Sequence, residues 1–302
     1  MTKKKAKRPG ETNEFRAKKR EKLRFLAEME PKKMILYPLA VFIVALLLLA
    51  VHFPPLGIDL QGGVVVTAYG INANPDDVQK WLSDRLGVNV NVESFTSVEG
   101  IRGIRVYAPP KVDPIEIINV LKEKYPDAKY THSEVQPTFG ELAKKQGIRA
   151  IAFAFLAMAI VVFLFFRNPV SSLAIIFSAL SDMTIAVAMM GVFGIQLTTA
   201  TIAALLMLIG YTVDSNILLT TKLTKRKEDT IEEAYLSAVS TGFTMSTTTL
   251  GALFMLWLIS TSPTLDNIAI VLIFGLLADF MNTWIFNAGV LRWYLTTRGV
   301  KA

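Results

Sequence analysis

The sequence predicts a polytopic α-helical membrane protein of six transmembrane helices, with an α+β extracytoplasmic domain of ferredoxin-like βαββαβ order. Three observations predict it. Six apolar runs each approach the ~20 residues that cross a hydrocarbon core. Lys and Arg gather on alternate connections between those runs, as the positive-inside rule requires. Between the first two runs, residues 54–147 alternate strand-like and helix-like patterns.

The basic tail, residues 1–33, carries thirteen Lys/Arg against five Glu, a surplus of +8 beside a whole-chain charge of +7. The rest of the chain is therefore close to neutral. A basic segment abutting an apolar run reads as a cytoplasmic topology signal in contact with anionic membrane lipids, and nucleic acid is not an expected partner. The first span is "MILYPLAVFIVALLLLAVHF", residues 34–53. It is longer than the h-region of a signal peptide and no small-x-small cleavage site follows, so it reads as retained.

Residues 54–147 are long enough for a small domain. "GGVVVTAYG" is rich in β-formers. "NPDDVQKWLSDRLG" opens with Asn74 as cap and Pro75 next, followed by acids in the first turn, which is a helix start. "VNVNVESF" and "IRGIRVYA" read as paired strands, "DPIEIINVLKEKYP" as a second helix and "AKYTHSEVQ" as a last strand. That order is the split βαβ arrangement, which hosts many activities.

The remaining spans fall at about 148–166, 170–192, 197–221, 240–259 and 266–291, forming a five-helix bundle over 148–291 with a tail at 292–302. "RNPV" is a tight turn whose Pro169 suits a helix start. "GVFGIQ" and "STSPTL" carry no Lys or Arg, whereas "KLTKRKEDTIEE" and the C-terminus do. Both termini, the 222–234 loop and the 167–169 turn are then expected in the cytoplasm of a multi-pass cell-membrane protein.

The sequence offers no enzyme signature: no P-loop, no HExxH and no G-x-S-x-G. With no cysteine and only His52 and His132, neither a thiolate site nor a zinc site is expected, and no cofactor is. The chemistry-bearing candidates are carboxylates within spans: Asp182, Asp214 and Asp279. Each costs about 2.5–3.5 kcal/mol at a helix centre, so each is expected to face the bundle or a wet cavity. Asp214 lies roughly 12 Å inside the Lys222 end of its span, with Ser215 and Asn216 as its polar surroundings. A purely structural role could use Asn or Ser at lower desolvation cost, which favours function for Asp214. Asp182 has Ser178 one turn before it and Asp279 has Asn282 at i+3, so each has a polar neighbour on its own helical face. Thr241, Thr244 and Thr248 form a row whose hydroxyls are expected to bond across helices or back to their own carbonyls. Gly242 and Gly251 permit close helix approach. "GIDLQGG" reads first as a polar boundary turn holding Asp59, with Gly62 and Gly63 for positive φ. "QPTFGELAKKQG", holding Pro137 and Gly140, is the matching re-entry.

Together these segments resemble the SecD/SecF protein-export family. "GIDLQGGVVV" resembles its G-[LI]-D-L-x-G-G signature, and "VQPTFGELAKKQG" is similar to its V-x-P-x-x-G-x-x-L segment. "FRNPVSSLAIIFSALSDM" and "GYTVDSNILLTTKL" resemble its third- and fourth-span motifs. One compact exterior domain, six spans and a long basic N-terminus resemble the SecF branch more than the larger-domained SecD branch. "YTVDSNILL" and "DFMNTWIFNAG" resemble its archaeal members. The resemblance implies an auxiliary subunit of the Sec apparatus with a SecD-like subunit, the translocon channel and exported unfolded polypeptides as partners. It also implies the architecture of the resistance-nodulation-division exporters, two six-span halves side by side, and a proton-linked fourth-span Asp matched by Asp214. Asp182 and Asp279 would extend a polar path. The fifth-span R-T-x-x-T-S of bacterial SecF is replaced here by "TGFTMSTTTL", without arginine, so the charge state of Asp214 stays open. Two other readings compete: an independent proton-driven exporter of small hydrophobic molecules, and a structural scaffold.

Overall fold

The computed structural model describes residues 29–97, 100–225 and 230–298. Most of the basic tail, the middle of the 222–234 loop and the last four residues lie outside the described residues. Six helices among the described residues are long and apolar enough to cross a membrane. The first, α1 (Pro31–Val51), leads through a short stretch to a single helical turn, α2 (Ile58–Gln61). The boundary segment is thus helical at its centre, and it ends where Gly62 adopts φ 78°. A side chain at Gly62 would be strained there and would also strike Pro137.

The exterior domain follows as β1 (Gly63–Tyr69), α3 (Pro75–Leu86), β2 (Asn91–Thr96), β3 (Arg102–Ala108), α4 (Pro114–Lys124) and β4 (Lys129–Val135). Asn74 and Asp113 each cap a helix that opens with proline, accepting from the amides of Asp76 and Ile115. The sheet runs β2-β3-β1-β4, antiparallel throughout, as the split βαβ order requires. Alternation puts Val64, Val66, Ala68, Ile104 and Val106 on one face, against Val78 and Leu82 of α3 and Ile117 and Leu121 of α4. Glu93, Arg105 and Tyr107 lie on the other face, toward the membrane bundle, where they line a common cavity with residues of the bundle.

The bundle comprises α5 (Pro137–Phe166), α6 (Pro169–Val192), α7 (Thr199–Thr224), α8 (Ile231–Ile259) and α9 (Pro263–Met281). A π-helical segment (Asn282–Asn287) and then α10 (Ala288–Thr297) complete the sixth span. Two of these helices start well before the apolar run. α5 begins at Pro137 rather than near 148, because its first turns rise above the lipid and are polar. α8 begins at Ile231, capped by Thr230, rather than at 240. Asn168 caps α6 with Pro169 as its first residue. α6, α7 and the sixth span form the buried centre, while α1, α5 and α8 turn large apolar side chains outward. Leu205 and Leu208 of α7, Ile175 and Met190 of α6 and Val271 and Leu272 of α9 make the main membrane core.

Candidate functional site

The centre of the bundle is polar. Asp182 on α6 and Asp279 on α9 are fully buried, as are Thr212, Asn216, Asn282, Thr283 and Asn287. Asp182 Oδ2 accepts from the Thr212 hydroxyl on α7 at 3.0 Å. Its Oδ1 accepts from Asn282 Nδ2 at 2.7 Å, and the same Nδ2 donates to Ser181 Oγ at 2.9 Å. Asn287 Nδ2 donates to Asn216 Oδ1 at 2.5 Å, and Asn216 Nδ2 donates to the Thr212 carbonyl at 2.8 Å. The two carboxylates are near enough to interact electrostatically, and the Ser215 hydroxyl lies close to Asp279. Neither carboxylate forms an ion pair among the described residues.

The π-helical segment explains how one helix supplies so many partners. Hydrogen bonding to the fifth residue widens the turn. Asn282 and Asn287, five apart, both reach neighbouring helices, Asn282 to α6 and Asn287 to α7. This changes the expected pairing. Asn282 serves Asp182 rather than Asp279 on its own helix, and Asp279 Oδ1 instead takes the Thr283 hydroxyl at 2.7 Å. Ser178 does not bond Asp182; its buried hydroxyl has no partner, and neither has Asp279 Oδ2.

Asp214 differs from the other two. The expectation that it is buried in the bundle is corrected: its side chain is exposed on α7, with no hydrogen bond or ion pair among the described residues. The turn of the helix decides this, because Thr212 and Asn216 take the inward face and Asp214 falls between them on the outward side. Ser215 bonds back to the Tyr211 carbonyl, and Asn216 is committed to the interior network. The surroundings predicted for Asp214 are therefore turned away from it. Ten residues separate it from the end of α7 at Thr224, about 15 Å, which puts it in the half of the span nearer Thr224.

The threonine row behaves as expected. Thr241, Thr244 and Thr248 are exposed on α8 and donate to carbonyls of their own helix. Gly242 receives the Trp284 ring, whereas Gly251 faces open space. The boundary motifs interlock: Gly140 packs on the backbone of Leu60 and Gly62, where no side chain would fit. Asp59 reaches across to α7, its Oδ2 accepting from Thr199 N at 2.5 Å. That contact, the π-helical segment and the partners Ser181, Thr212, Thr283 and Asn287 were not anticipated from sequence. An Asn-Thr pair three residues after Asp279, with a further Asn at 287, was the available signal.

On the sheet face that looks toward the bundle, Tyr107 donates to Glu93 Oε2 at 3.2 Å and Arg105 stacks on Phe95. Burial pushes the Glu93 carboxyl above its ordinary value, opposed by Tyr107 and Arg105. Burial also pushes the Tyr107 phenol up to about 12, helped by the Glu93 charge.

These features define a class: a six-span helical membrane protein with a ferredoxin-like domain in its first loop and carboxylates both inside and on the surface of its bundle. The family model described as "Protein export membrane protein SecD/SecF, C-terminal" matches residues 116–297. The chain belongs to the SecD/SecF protein-export family. It is 64% identical over 301 residues to the "Protein-export membrane protein SecF" of Thermococcus gammatolerans, covering 98% of this chain and 96% of the relative. The SecF protein of Pyrococcus furiosus is 56% identical over 288 residues, covering 93% and 97%. The fold is similar to the crystal structure of SecDF, a translocon-associated membrane protein from Thermus thermophilus, with TM-score 0.73 at 19% identity. That match covers 89% of this chain and 39% of the SecDF chain, so this chain spans less than two fifths of SecDF.

Proposed function

We propose that this chain acts in protein export as a SecF-type auxiliary subunit of the Sec apparatus, beside a SecD-like six-span partner. It does no covalent chemistry; it helps draw unfolded polypeptide across the cytoplasmic membrane from the translocon channel. Both termini lie in the cytoplasm and the ferredoxin-like domain lies outside, a reading supported by the Lys/Arg-bearing loops.

The observation that carries the reading is Asp214. A carboxylate on the outer face of a membrane helix, without a partner among the described residues, would meet lipid at a cost of about 2.5–3.5 kcal/mol. A second six-span unit against α7 removes that cost by covering the group. The identification of close relatives as protein-export proteins supports a SecD-like unit in that position. Asp214 is then the protonatable group of the subunit contact, and the cation absent from α8 is supplied by the partner. An independent exporter of small molecules is not favoured by those relatives.

The test is Asp214→Asn in cells. The exposed side chain has no bond to lose among the described residues, so the variant reaches normal membrane level while export of secreted proteins falls. Unchanged export at normal level would sink the role of Asp214.

A further inference from the structure

The exterior domain joins the membrane covalently through only two spanning helices, entering from α1 by way of the short α2 and leaving by α5. Neither carries Asp214. The connection to α7, which does, is noncovalent and lies at residues 55–59. There Leu197 N donates to the Pro55 carbonyl at 2.7 Å and Gly57 N donates to the Leu197 carbonyl at 2.8 Å. Two residues further on, Asp59 accepts the Thr199 amide.

The amide at Thr199 belongs to the first residue of α7 and has no partner within the helix. Thr198 caps the same turn but serves the Thr201 amide, so Asp59 takes a different donor. An acid at this end also meets the positive pole of the helix dipole. A passive boundary turn would need Gly62 and Gly63 for their backbone angles, but it would not need a carboxylate reaching to another helix. On the other side, α2 is locked to α5 by the close approach of Gly140 to Gly62 and Leu60, and it passes straight into β1. Asp59 thus sits on the rigid base of the exterior domain.

We propose that Asp59 is a positioning residue: its bond to the Thr199 amide is the mechanical tie through which movement of the exterior domain reaches the helix that carries Asp214. Fifteen residues of continuous helix, about 22 Å, separate Thr199 from Asp214, so a tilt imposed at one end is delivered at the other. A cavity of about 180 Å³ beside the tie is lined by Asp59, Glu93, Arg105, Tyr107, Thr198 and Asn267, among others. It gives the carboxylate room to leave Thr199, and Arg105 is the cation in its lining. Tied and released are then two discrete arrangements, which coupling between distant sites requires. The purpose of the tie rests on the export reading; its existence does not.

The chain has no cysteine, so introduced ones are unique. The full chain in lipid nanodiscs is spin-labelled at Lys122→Cys on α4 and Leu258→Cys on the lipid-facing side of α8, and the distance distribution is measured. The tied protein gives one narrow distance. Asp59→Ala adds a second, broader population. Thr199→Pro removes the donor at a first helical position that tolerates proline, behind an extended Thr198, and gives the same broadening. The double variant is no broader than either single one, because both cut one bond. Asp59→Asn keeps an acceptor and stays narrow. A narrow distribution in Asp59→Ala, additive broadening in the double variant, or an Asp59→Asn as broad as Asp59→Ala would overturn the tie. None of these readouts depends on export, so failure of the tie is distinguishable from failure of the export reading.

Discussion

Replacing Asn282 with alanine removes the central donor of the bundle's polar network. Its Nδ2 makes two interhelical bonds, to Asp182 Oδ1 at 2.7 Å and to Ser181 Oγ at 2.9 Å. Hydrogen bonds between membrane helices average about 0.6 kcal/mol and reach about 1.7. Two of them amount to about 1–3 kcal/mol. Asp182 keeps Thr212, so the carboxylate is not stripped of every donor. Ser181→Ala loses only the second bond and should cost about 0.6 kcal/mol. The assay is equilibrium unfolding of the full chain in mild detergent, titrated with denaturing detergent and read by helical circular dichroism. Asn282→Ala indistinguishable from the parent, or Ser181→Ala costing as much as Asn282→Ala, would refute the assignment of Asn282 as the hub.

Two further outcomes follow from packing and burial. Gly242→Ala drives a methyl group into the Trp284 ring and should cost about 1–3 kcal/mol in the same assay. Gly251→Ala, with open space around it, should be silent, and Trp284→Phe should recover part of the Gly242→Ala loss. In the exterior domain, folding raises the Glu93 carboxyl above its ordinary value of 4.5. The stability tied to its protonated form is complete below 4.5 and lost as pH rises through the raised value. Amide exchange in β2 and β3, corrected for its intrinsic pH dependence, should therefore lose protection in the parent relative to Glu93→Gln as pH rises. Equal protection across that range would contradict the burial of the charge.

Much of the fold is legible because lipid demands long apolar runs and a half-buried sheet demands alternation. The Asn74-Pro75 and Asp113-Pro114 starts and the βαββαβ order follow from local chemistry alone. Hydropathy misjudges helices where they leave the lipid. "QPTFGELAKKQG" is as helical as the apolar run it leads into, yet nothing in its polarity says so. The intramembrane acids are equally legible as residues, and their depth follows from counting along the helix. Their facing does not. Spacing of three and four along α-helices pairs Asp279 with Asn282, but a π-helical segment turns Asn282 toward Asp182 instead. Two residues of rotation likewise decide that Asn216 is interior and Asp214 is not. The contact of Asp59 is missed for another reason: its partner, Thr199, lies 140 positions away, and no local pattern reports it.

The central claim is that the exposed carboxylate face of this chain is a subunit contact. A photo-crosslinking amino acid at Val213, beside Asp214 and only half-buried on α7, tests it in native membranes. The account predicts a crosslinked product containing a SecD-like six-span protein, and the same probe at lipid-facing Phe153 on α5 should not give it. Crosslinks from position 213 to lipid alone, or only to a second copy of this chain, would contradict the account.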